Sequence, residues 1–241
     1  MILAWMLWGC MPPDDGSLQV YASSSLTDVM PKIGREWTER TGIPIHFSFD
    51  ASSRMARQLA YGAQADLYIS ADQAWMDWAT EQGAIDAVTR RDVVGNGLAI
   101  VVPTNADRHP RNFDDLATYS TVAIPSENVP AGRYAREALK NLGVWEQIEP
   151  NVLSGDAART VTGWVAAGSV PVGVVYRTEA LADKRVWPVL PIPEDSHTPI
   201  VYPAAVTTRS RHPEDAEAFL NFFFGPGRVS FAEAGFEMID L

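Results

Sequence analysis

Basic charge, cysteine, histidine clusters and long apolar runs are all scarce in this sequence. The chain has 241 residues and a single cysteine, Cys10, so it cannot form an internal disulfide framework. Its net charge of −11 leaves no basic stripe to neutralise phosphates, which argues against nucleic acid as a partner. Beyond the amino terminus, no apolar run approaches the ~20 residues that cross a bilayer. With 46% hydrophobic residues, the sequence predicts a soluble mature protein with a substantial core.

The common catalytic motifs are missing as well. The Gly-x-Ser-x-Gly, Walker and Gly-x-Gly-x-x-Gly patterns do not occur. The histidines, His46, His109, His197 and His212, never stand at metal-ligand spacing. No thiol nucleophile remains once Cys10, in the amino-terminal segment, is set aside. We therefore expect a protein that is not an enzyme and that requires no cofactor.

The amino terminus has features of an export signal. Residues 1–8 are apolar, and a polar, proline-containing stretch follows Cys10. The Leu7–Cys10 segment resembles a lipobox, although Trp8 is bulky for its position and no basic region precedes it. The alternative is an ordinary apolar terminus with a chance cysteine. We interpret residues 1–16 as a signal or lipoprotein-like segment, which places the protein in the periplasm or elsewhere outside the cytoplasm, with a lipid anchor on Cys10.

From Leu18 onward, short runs rich in Val, Ile and Tyr alternate with helical patterns. Such runs are typical of strands in a mostly parallel sheet, and the alternation predicts an α/β architecture. Strands are predicted at Leu18–Ala22, Ile43–Phe49, Leu67–Ala71, Leu98–Pro103, Thr121–Pro125, Val172–Tyr176, Val186–Ile192 and Ile200–Val206. Helices are predicted at Leu26–Thr41, Ser52–Tyr61, Asp72–Gln82, Ala131–Leu142, Ala158–Ala167 and Pro213–Phe224.

Two segments are interpreted as crossings between lobes: Val94–Leu98 and Pro191–Pro199. The first lobe then contains residues 17–95 and 200–241, and the second contains residues 96–199. A discontinuous lobe joined twice to a continuous one forms a hinged clamshell. The predicted fold is therefore a two-lobed α/β clamshell, each lobe a mostly parallel sheet flanked by helices.

Serine clusters stand where two predicted strands run into helices. Ser23, Ser24 and Ser25 follow the first strand, and Ser52 and Ser53 follow the second. A helix start presents unpaired N–H groups and the positive end of the helix dipole, and serine hydroxyls add neutral donors there. Two such starts, one βα unit apart, can hold one small oxyanion from two sides. The alternative is that these serines only cap their helices.

Three further places are candidates for the same site. Pro130 begins a helix, and Gly132 leaves space for close backbone approach. Ala158 opens another helix with exposed N–H groups, and Arg159 is expected in solvent. Tyr176 ends a buried strand, where the ligands of α/β proteins bind. The alternatives are an ordinary proline-started helix and a core tyrosine.

Several longer motifs resemble the periplasmic molybdate-binding proteins of ABC transporters, across nearly all of residues 18–241. That family has the type II periplasmic-binding fold. The motifs are Tyr21–Thr27, Ala56–Leu59, Gly62–Met76, Gly95–Leu98, Val129–Leu139, Gly173–Tyr176 and Pro193–His197.

The resemblance implies a ligand set for the oxyanion. Ser25 and Ser52 would bind it through hydroxyl and N–H groups, Ala131 and Ala158 through N–H groups, and Tyr176 through its hydroxyl. The protein would be a monomeric, extracytoplasmic solute-binding protein that delivers molybdate or tungstate to a membrane ABC permease. The alternatives are a binding protein of the same fold for sulfate, a ferric complex or an organic anion, and an enzyme or sensor domain built on this fold.

Two positions depart from the family pattern. Asp50 replaces a small residue at a strand end, and a carboxylate pointing inward there would repel a dianion. Ala158 stands where a larger aliphatic residue is common, but its N–H group is unaffected by that change.

Overall fold

The computed structural model describes residues 15–239, in which the strands form one six-stranded and one five-stranded sheet. The lipobox prediction at Cys10 lies outside the described residues. The strands of the six-stranded sheet are β1 (Leu18–Ser23), β2 (Ile45–Asp50), β3 (Leu67–Ile69), β4 (Arg91–Asn96), β10 (Ile200–Val206) and β11 (Glu237–Met238). Those of the five-stranded sheet are β5 (Leu98–Pro103), β6 (Val122–Pro125), β7 (Val152–Gly155), β8 (Gly173–Tyr176) and β9 (Val186–Pro191).

Helices flank both sheets. We call the six-stranded sheet with its helices lobe one and the five-stranded sheet with its helices lobe two. The helices of lobe one are α1 (Met30–Thr41), α2 (Ser52–Ala60), α3 (Gln73–Glu81), α8 (Pro213–Phe222) and α9 (Arg228–Glu233). Those of lobe two are α4 (Pro130–Asn141), α5 (Trp145–Ile148), α6 (Ala158–Ala166) and α7 (Arg177–Ala182).

Both sheets are mixed, which corrects the prediction of mostly parallel sheets. In lobe one, β1 pairs in parallel with β2 and β3, whereas β10 runs antiparallel to β3 and β4. In lobe two, β6 is parallel to β7 and β8, and β5 is antiparallel to β8 and β9. The antiparallel pairs involve the strands that enter or leave a lobe. The βα pattern does not reveal their direction because these strands have no crossover helix.

The chain passes between the lobes at two places. A single residue, Gly97, separates β4 of lobe one from β5 of lobe two. The return runs between β9 and β10. Backbone bonds brace both passages, since the Arg177 N–H donates to the Gly97 carbonyl (2.8 Å) and the Ile192 N–H donates to the Leu98 carbonyl (3.0 Å).

The first helix begins later than its apolar periodicity predicts. Residues Ser24–Leu26 form a 3₁₀ turn, and α1 starts only at Met30 with Pro31 in its first turn. Proline favours that position because it lacks an N–H group and has a preset φ. The helix ends at Gly42, whose φ of 77° suits glycine. The 3₁₀ turn holds the serine cluster against the end of β1.

Most other predicted elements agree within a few residues, and six were missed: β4, β7, β11, α5, α7 and α9. These are short or lie at crossings, where periodicity is weak. Among residues 15–239 no helix is long and apolar enough to span a membrane. The largest apolar cluster includes strands of both sheets, so the lobes share a continuous core.

Candidate functional site

Ser25 lies in the 3₁₀ turn after β1, and its side chain is buried. Its Oγ is 2.9 Å from the Tyr202 hydroxyl and 3.1 Å from Ser23 Oγ. The Asn96 Nδ2 amide donates to the Tyr202 oxygen (3.1 Å), so Tyr202 can direct its own hydrogen to Ser25. In that arrangement Ser25 has its own hydroxyl hydrogen to donate, either to Ser23 Oγ or to a ligand.

Ser52 is the first residue of α2 and is fully buried. Its Oγ accepts the Ala71 N–H (2.9 Å), and its carbonyl accepts the Tyr68 hydroxyl (2.9 Å). The Ser52 side chain is thus an acceptor within the protein, which leaves its hydroxyl hydrogen as a donor. The residue before it, Ala51, provides no side-chain cap for the helix.

Ala131 carries the first amide hydrogen of α4, because Pro130 has none. The residue that precedes the helix, Val129, has no side-chain acceptor for that hydrogen. The start of the helix is buried against β6, and a Cβ on Gly132 would stand 2.1 Å from the carbonyl oxygens of Pro125 and Ser126. Glycine is therefore required for this close approach.

Ala158 begins α6 in the same way. The preceding residue, Ala157, cannot cap the helix, and Ala158 itself is buried. By contrast, α3 starts behind Asp72, whose carboxylate accepts the Trp75 N–H (2.8 Å). Buried helix starts that lack such an acceptor leave N–H donors for a ligand.

Tyr176 ends β8 with its ring 5.9 Å from that of Tyr202, centroid to centroid. Its hydroxyl is buried and has no hydrogen-bond partner among the described residues. Burial, and then the neighbouring Tyr202, raise the pKa of Tyr176 well above the ordinary value for tyrosine. The hydroxyl therefore keeps its hydrogen at neutral pH and is a donor.

The space between the two lobes is called the cleft, and contacts across it bring these five residues into one region. The start of α6 lies beside the segment after Ser25, because Arg159 binds Asp28 through two N–H···O contacts of 2.5 and 3.1 Å. Likewise Arg54 of α2 lies 3.6 Å from Asp156 at the start of α6. A third ion pair joins Arg133 of α4 to Asp72, the residue that precedes α3. Arg159 is therefore paired across the cleft, while 48% of its side-chain surface remains exposed to solvent, as expected.

The charge of Asp50 is neutralised within its own lobe. Its Oδ1 accepts the Ala51 N–H (2.7 Å), and its carboxylate pairs with Arg54 four residues later (2.9 Å). An unpaired Asp50 carboxylate pointing inward would repel a dianion. Its pairing with Arg54 removes most of that repulsion.

A second buried carboxylate lies close to the cleft. Glu179 accepts the Thr162 hydroxyl (3.2 Å), while its Oε1 has no partner among residues 15–239. Burial raises the pKa of Glu179 to about 7, so protonation of this group occurs near neutral pH. Because α7 had not been predicted, sequence reasoning missed this residue.

The residues that support the site were also missed. Tyr202 and Asn96 brace Ser25 from β10 and β4, at sequence separations of 177 and more than 70 residues. No local pattern indicates such partners. A usable signal did exist at the helix starts, where Ala51, Val129 and Ala157 replace the usual capping residues. Among residues 15–239 no group of three or more His, Cys, Asp or Glu side chains is arranged to hold a metal ion.

Two α/β lobes joined by two passages, with helix starts from both lobes at the cleft, define a clamshell solute-binding protein. Residues 18–237 match the family of bacterial extracellular solute-binding proteins, and the chain belongs to that family. The molybdate-binding protein ModA of Escherichia coli (strain K12) is 36% identical over 232 residues, which cover 93% of this chain and 90% of that protein.

Solved structures agree with this assignment. The substrate-binding domain of a putative molybdenum ABC transporter from Clostridium difficile has a TM-score of 0.74 and 28% identity, covering 93% of this chain and 99% of that one. The periplasmic molybdate-binding protein of Azotobacter vinelandii has a TM-score of 0.81 at 20% identity, with coverages of 93% and 100%, and bears on the fold alone. The two-lobed clamshell and the family resemblance predicted from the motifs are confirmed.

Proposed function

We propose that this protein captures molybdate, and also tungstate, in the cleft between its lobes and delivers the anion to a membrane ABC permease. The observation that carries the proposal is that ion pairs bring buried, uncapped helix starts of both lobes together, and that the Tyr176 hydroxyl has no partner among the described residues. The ligands are the hydroxyl and N–H groups of Ser25 and Ser52, the N–H groups of Ala131 and Ala158, and the Tyr176 hydroxyl.

The donors are all neutral, and this favours an oxyanion that carries no proton. Molybdate and tungstate accept at every oxygen, whereas hydrogen phosphate would bring an O–H group for which the ligand set has no acceptor. An unpaired buried O–H group costs about 1–3 kcal/mol. The relatives' names favour molybdate over the sulfate alternative, since the E. coli relative is a molybdate-binding protein.

We extend the proposal to the remaining properties of the protein. The protein acts outside the cytoplasm as a monomer, it is not an enzyme, and it needs no cofactor besides its ligand. Residues 1–16 form the export segment, with lipid attached at Cys10. Lobe one comprises residues 17–95 and 200–241 and lobe two residues 96–199, except that Asn96 ends β4 and so belongs to lobe one. The anion favours closure because it contacts both lobes.

The ligand assignment is tested by removing both serine hydroxyls. We expect the Ser25→Ala, Ser52→Ala double variant to lose the rise in Tm that molybdate gives the wild type, because two donors are deleted from lobe one. The matched control is Ser24→Ala with Ser53→Ala, which removes neighbouring hydroxyls from the same two elements and should keep the rise. A full shift in the first variant would contradict the assignment.

Calorimetry against molybdate, tungstate, sulfate and phosphate tests the ligand class. We expect tight binding of molybdate and tungstate alone. Tight binding of sulfate with none of molybdate would overturn the proposal.

A further inference from the structure

Two ion pairs cross the cleft in the same sense, each with its carboxylate on lobe one and its arginine on lobe two. In the first, Asp28 stands three residues after Ser25, and Arg159 directly follows Ala158. Two guanidinium N–H groups reach the two carboxylate oxygens, at 2.5 and 3.1 Å. Such a two-point contact fixes orientation as well as distance, so this pair requires closed lobes.

The second pair joins Asp72 to Arg133, two residues after Ala131. The Asp72 carboxylate is fully buried and also caps α3 through the Trp75 N–H. A buried carboxylate without a cation costs several kcal/mol, so lobe closure and formation of this pair are strongly linked. Both arginines lie within the first turn of a helix whose N–H group is a proposed ligand.

Separation of the lobes would divide these charges unequally. Two carboxylates stay with lobe one, beside its serine donors, and two guanidinium groups stay with lobe two, beside its helix starts. A dianion that approaches the open protein is attracted by the second set and repelled by the first. Because the net charge of −11 repels anions overall, the attraction must be local, from these arginines and from the N–H groups at the helix starts.

From this arrangement, and resting on the proposed function, we infer an order of binding. We propose that the dianion docks first on lobe two, beside Arg133 and Arg159, and that lobe one then closes and pairs these arginines with Asp72 and Asp28. The two arginines thus attract the dianion in the open state and stabilise the closed state through their ion pairs. In the closed state their charges are matched, and the anion is held by neutral donors.

A third cross-cleft pair behaves differently. Arg54 belongs to lobe one and remains paired there with Asp50 (2.9 Å) when its weaker contact with Asp156 (3.6 Å) is lost. Opening therefore frees no arginine at this point. It leaves the Asp156 carboxylate on lobe two, held by the Thr160 hydroxyl (2.7 Å), and we assign this pair no part in capture.

The order of binding predicts unequal effects of the two partners in each pair. Arg159→Gln and Arg133→Gln should lower the association rate of molybdate about fivefold to tenfold, as loss of electrostatic steering does, and should also speed release. Asp28→Asn and Asp72→Asn should speed release but leave association unchanged or faster. If the ion pairs only stabilised the closed state, the arginine and aspartate variants would speed the release of molybdate equally and would leave its association rate unchanged.

The measurement uses the full chain and radiolabelled molybdate. Chase with excess unlabelled molybdate gives the release rate, calorimetry gives the Kd, and their ratio gives the association rate. Arg90→Gln is the matched control, because Arg90 pairs with Asp77 (2.6 Å) inside lobe one and should change neither rate. Circular dichroism of each variant checks the fold.

The outcomes separate this inference from the function on which it rests. No molybdate binding by the wild type overturns both. Wild-type binding with equal association rates in the arginine and aspartate variants overturns the order of binding and leaves the proposed function standing. Slower association confined to the arginine variants supports the inference.

Discussion

The Tyr176 side chain is almost completely buried, yet its hydroxyl has no partner among the described residues. Burying a hydroxyl without a hydrogen bond costs about 1–3 kcal/mol, a penalty that a bound acceptor would remove. The neighbouring Tyr202 shows the opposite condition, since its hydroxyl contacts both Ser25 and Asn96. One tyrosine is thus available to a ligand, and the other is part of the framework.

This contrast gives a prediction for the two phenylalanine variants. Tyr176→Phe should leave the free energy of unfolding unchanged or raise it by up to about 1 kcal/mol, because no internal bond is lost. It should weaken molybdate binding about tenfold, the effect of roughly 1.4 kcal/mol. Tyr202→Phe should lower both stability and affinity. Urea unfolding and calorimetry supply the two quantities, and a Tyr176→Phe protein with wild-type affinity would exclude its hydroxyl from the ligand set.

At the scale of elements, the starts of α2, α4 and α6 share a feature that ordinary helices avoid. Each is buried, and each follows Ala or Val instead of a capping residue. The free N–H groups at such starts, with the positive end of the helix dipole, attract anions at short range. The position of each helix then decides where its donors lie.

Gly132 fixes that position for α4. Gly132→Ala would bring a Cβ within 2.1 Å of two carbonyl oxygens, so the helix must move away from β6 and take the Ala131 N–H with it. We expect lower stability and at least about tenfold weaker molybdate binding, equivalent to 1.4 kcal/mol.

The control for that helix shift is Gly163→Ala in α6. No atom lies within 4 Å of its Cβ position, so the added methyl group should stabilise the protein by about 0.5–1 kcal/mol and leave binding unchanged. Wild-type affinity in Gly132→Ala would show that α4 does not position a ligand.

For the molecule as a whole, folding buries the Glu179 side chain of α7 against α6, where Thr162 is its one hydrogen-bond partner among the described residues. Arg159 and Asp28 are the charged groups that act on it, with opposite signs. Its folded pKa of about 7 exceeds the ordinary glutamate value of 4.5, so the folded state binds a proton more tightly than the unfolded state. This contribution to stability is complete below about pH 4.5 and is lost as the pH rises through about 7.

Glu179→Gln should abolish that pH dependence. The pKa difference corresponds to on the order of 3 kcal/mol, so the Tm of the variant relative to the wild type should rise by about 5 °C or more between about pH 5 and pH 8. Thermal unfolding across this pH range measures the difference. The exposed Glu81→Gln is the control and should keep a constant offset. A constant offset in Glu179→Gln as well would mean that Glu179 does not titrate in this range.

Local signals within about ten residues were sufficient to predict most strands and helices and the segments that carry possible donors. The alternation of these elements then indicated the two-lobed α/β fold. Periodicity marks an element, and serine, proline or alanine at its start marks the available donors. The sequence did not predict the strands at the lobe crossings, the short helices or the mixed sheets, because the partners of these elements are distant in sequence. The set of five proposed ligands was implied by the family resemblance, whereas the residues alone indicated only candidate segments.

How those segments come together could be seen only after the chain had folded. Arg159 and Asp28 are 131 residues apart, and Arg133 and Asp72 are 61 apart, so no local pattern predicts their pairing. The same holds for the bracing of Ser25 by Tyr202 and for the unpartnered hydroxyl of Tyr176. Side-chain chemistry is set by residue type, whereas charge matching, burial and closeness arise when the two lobes come together.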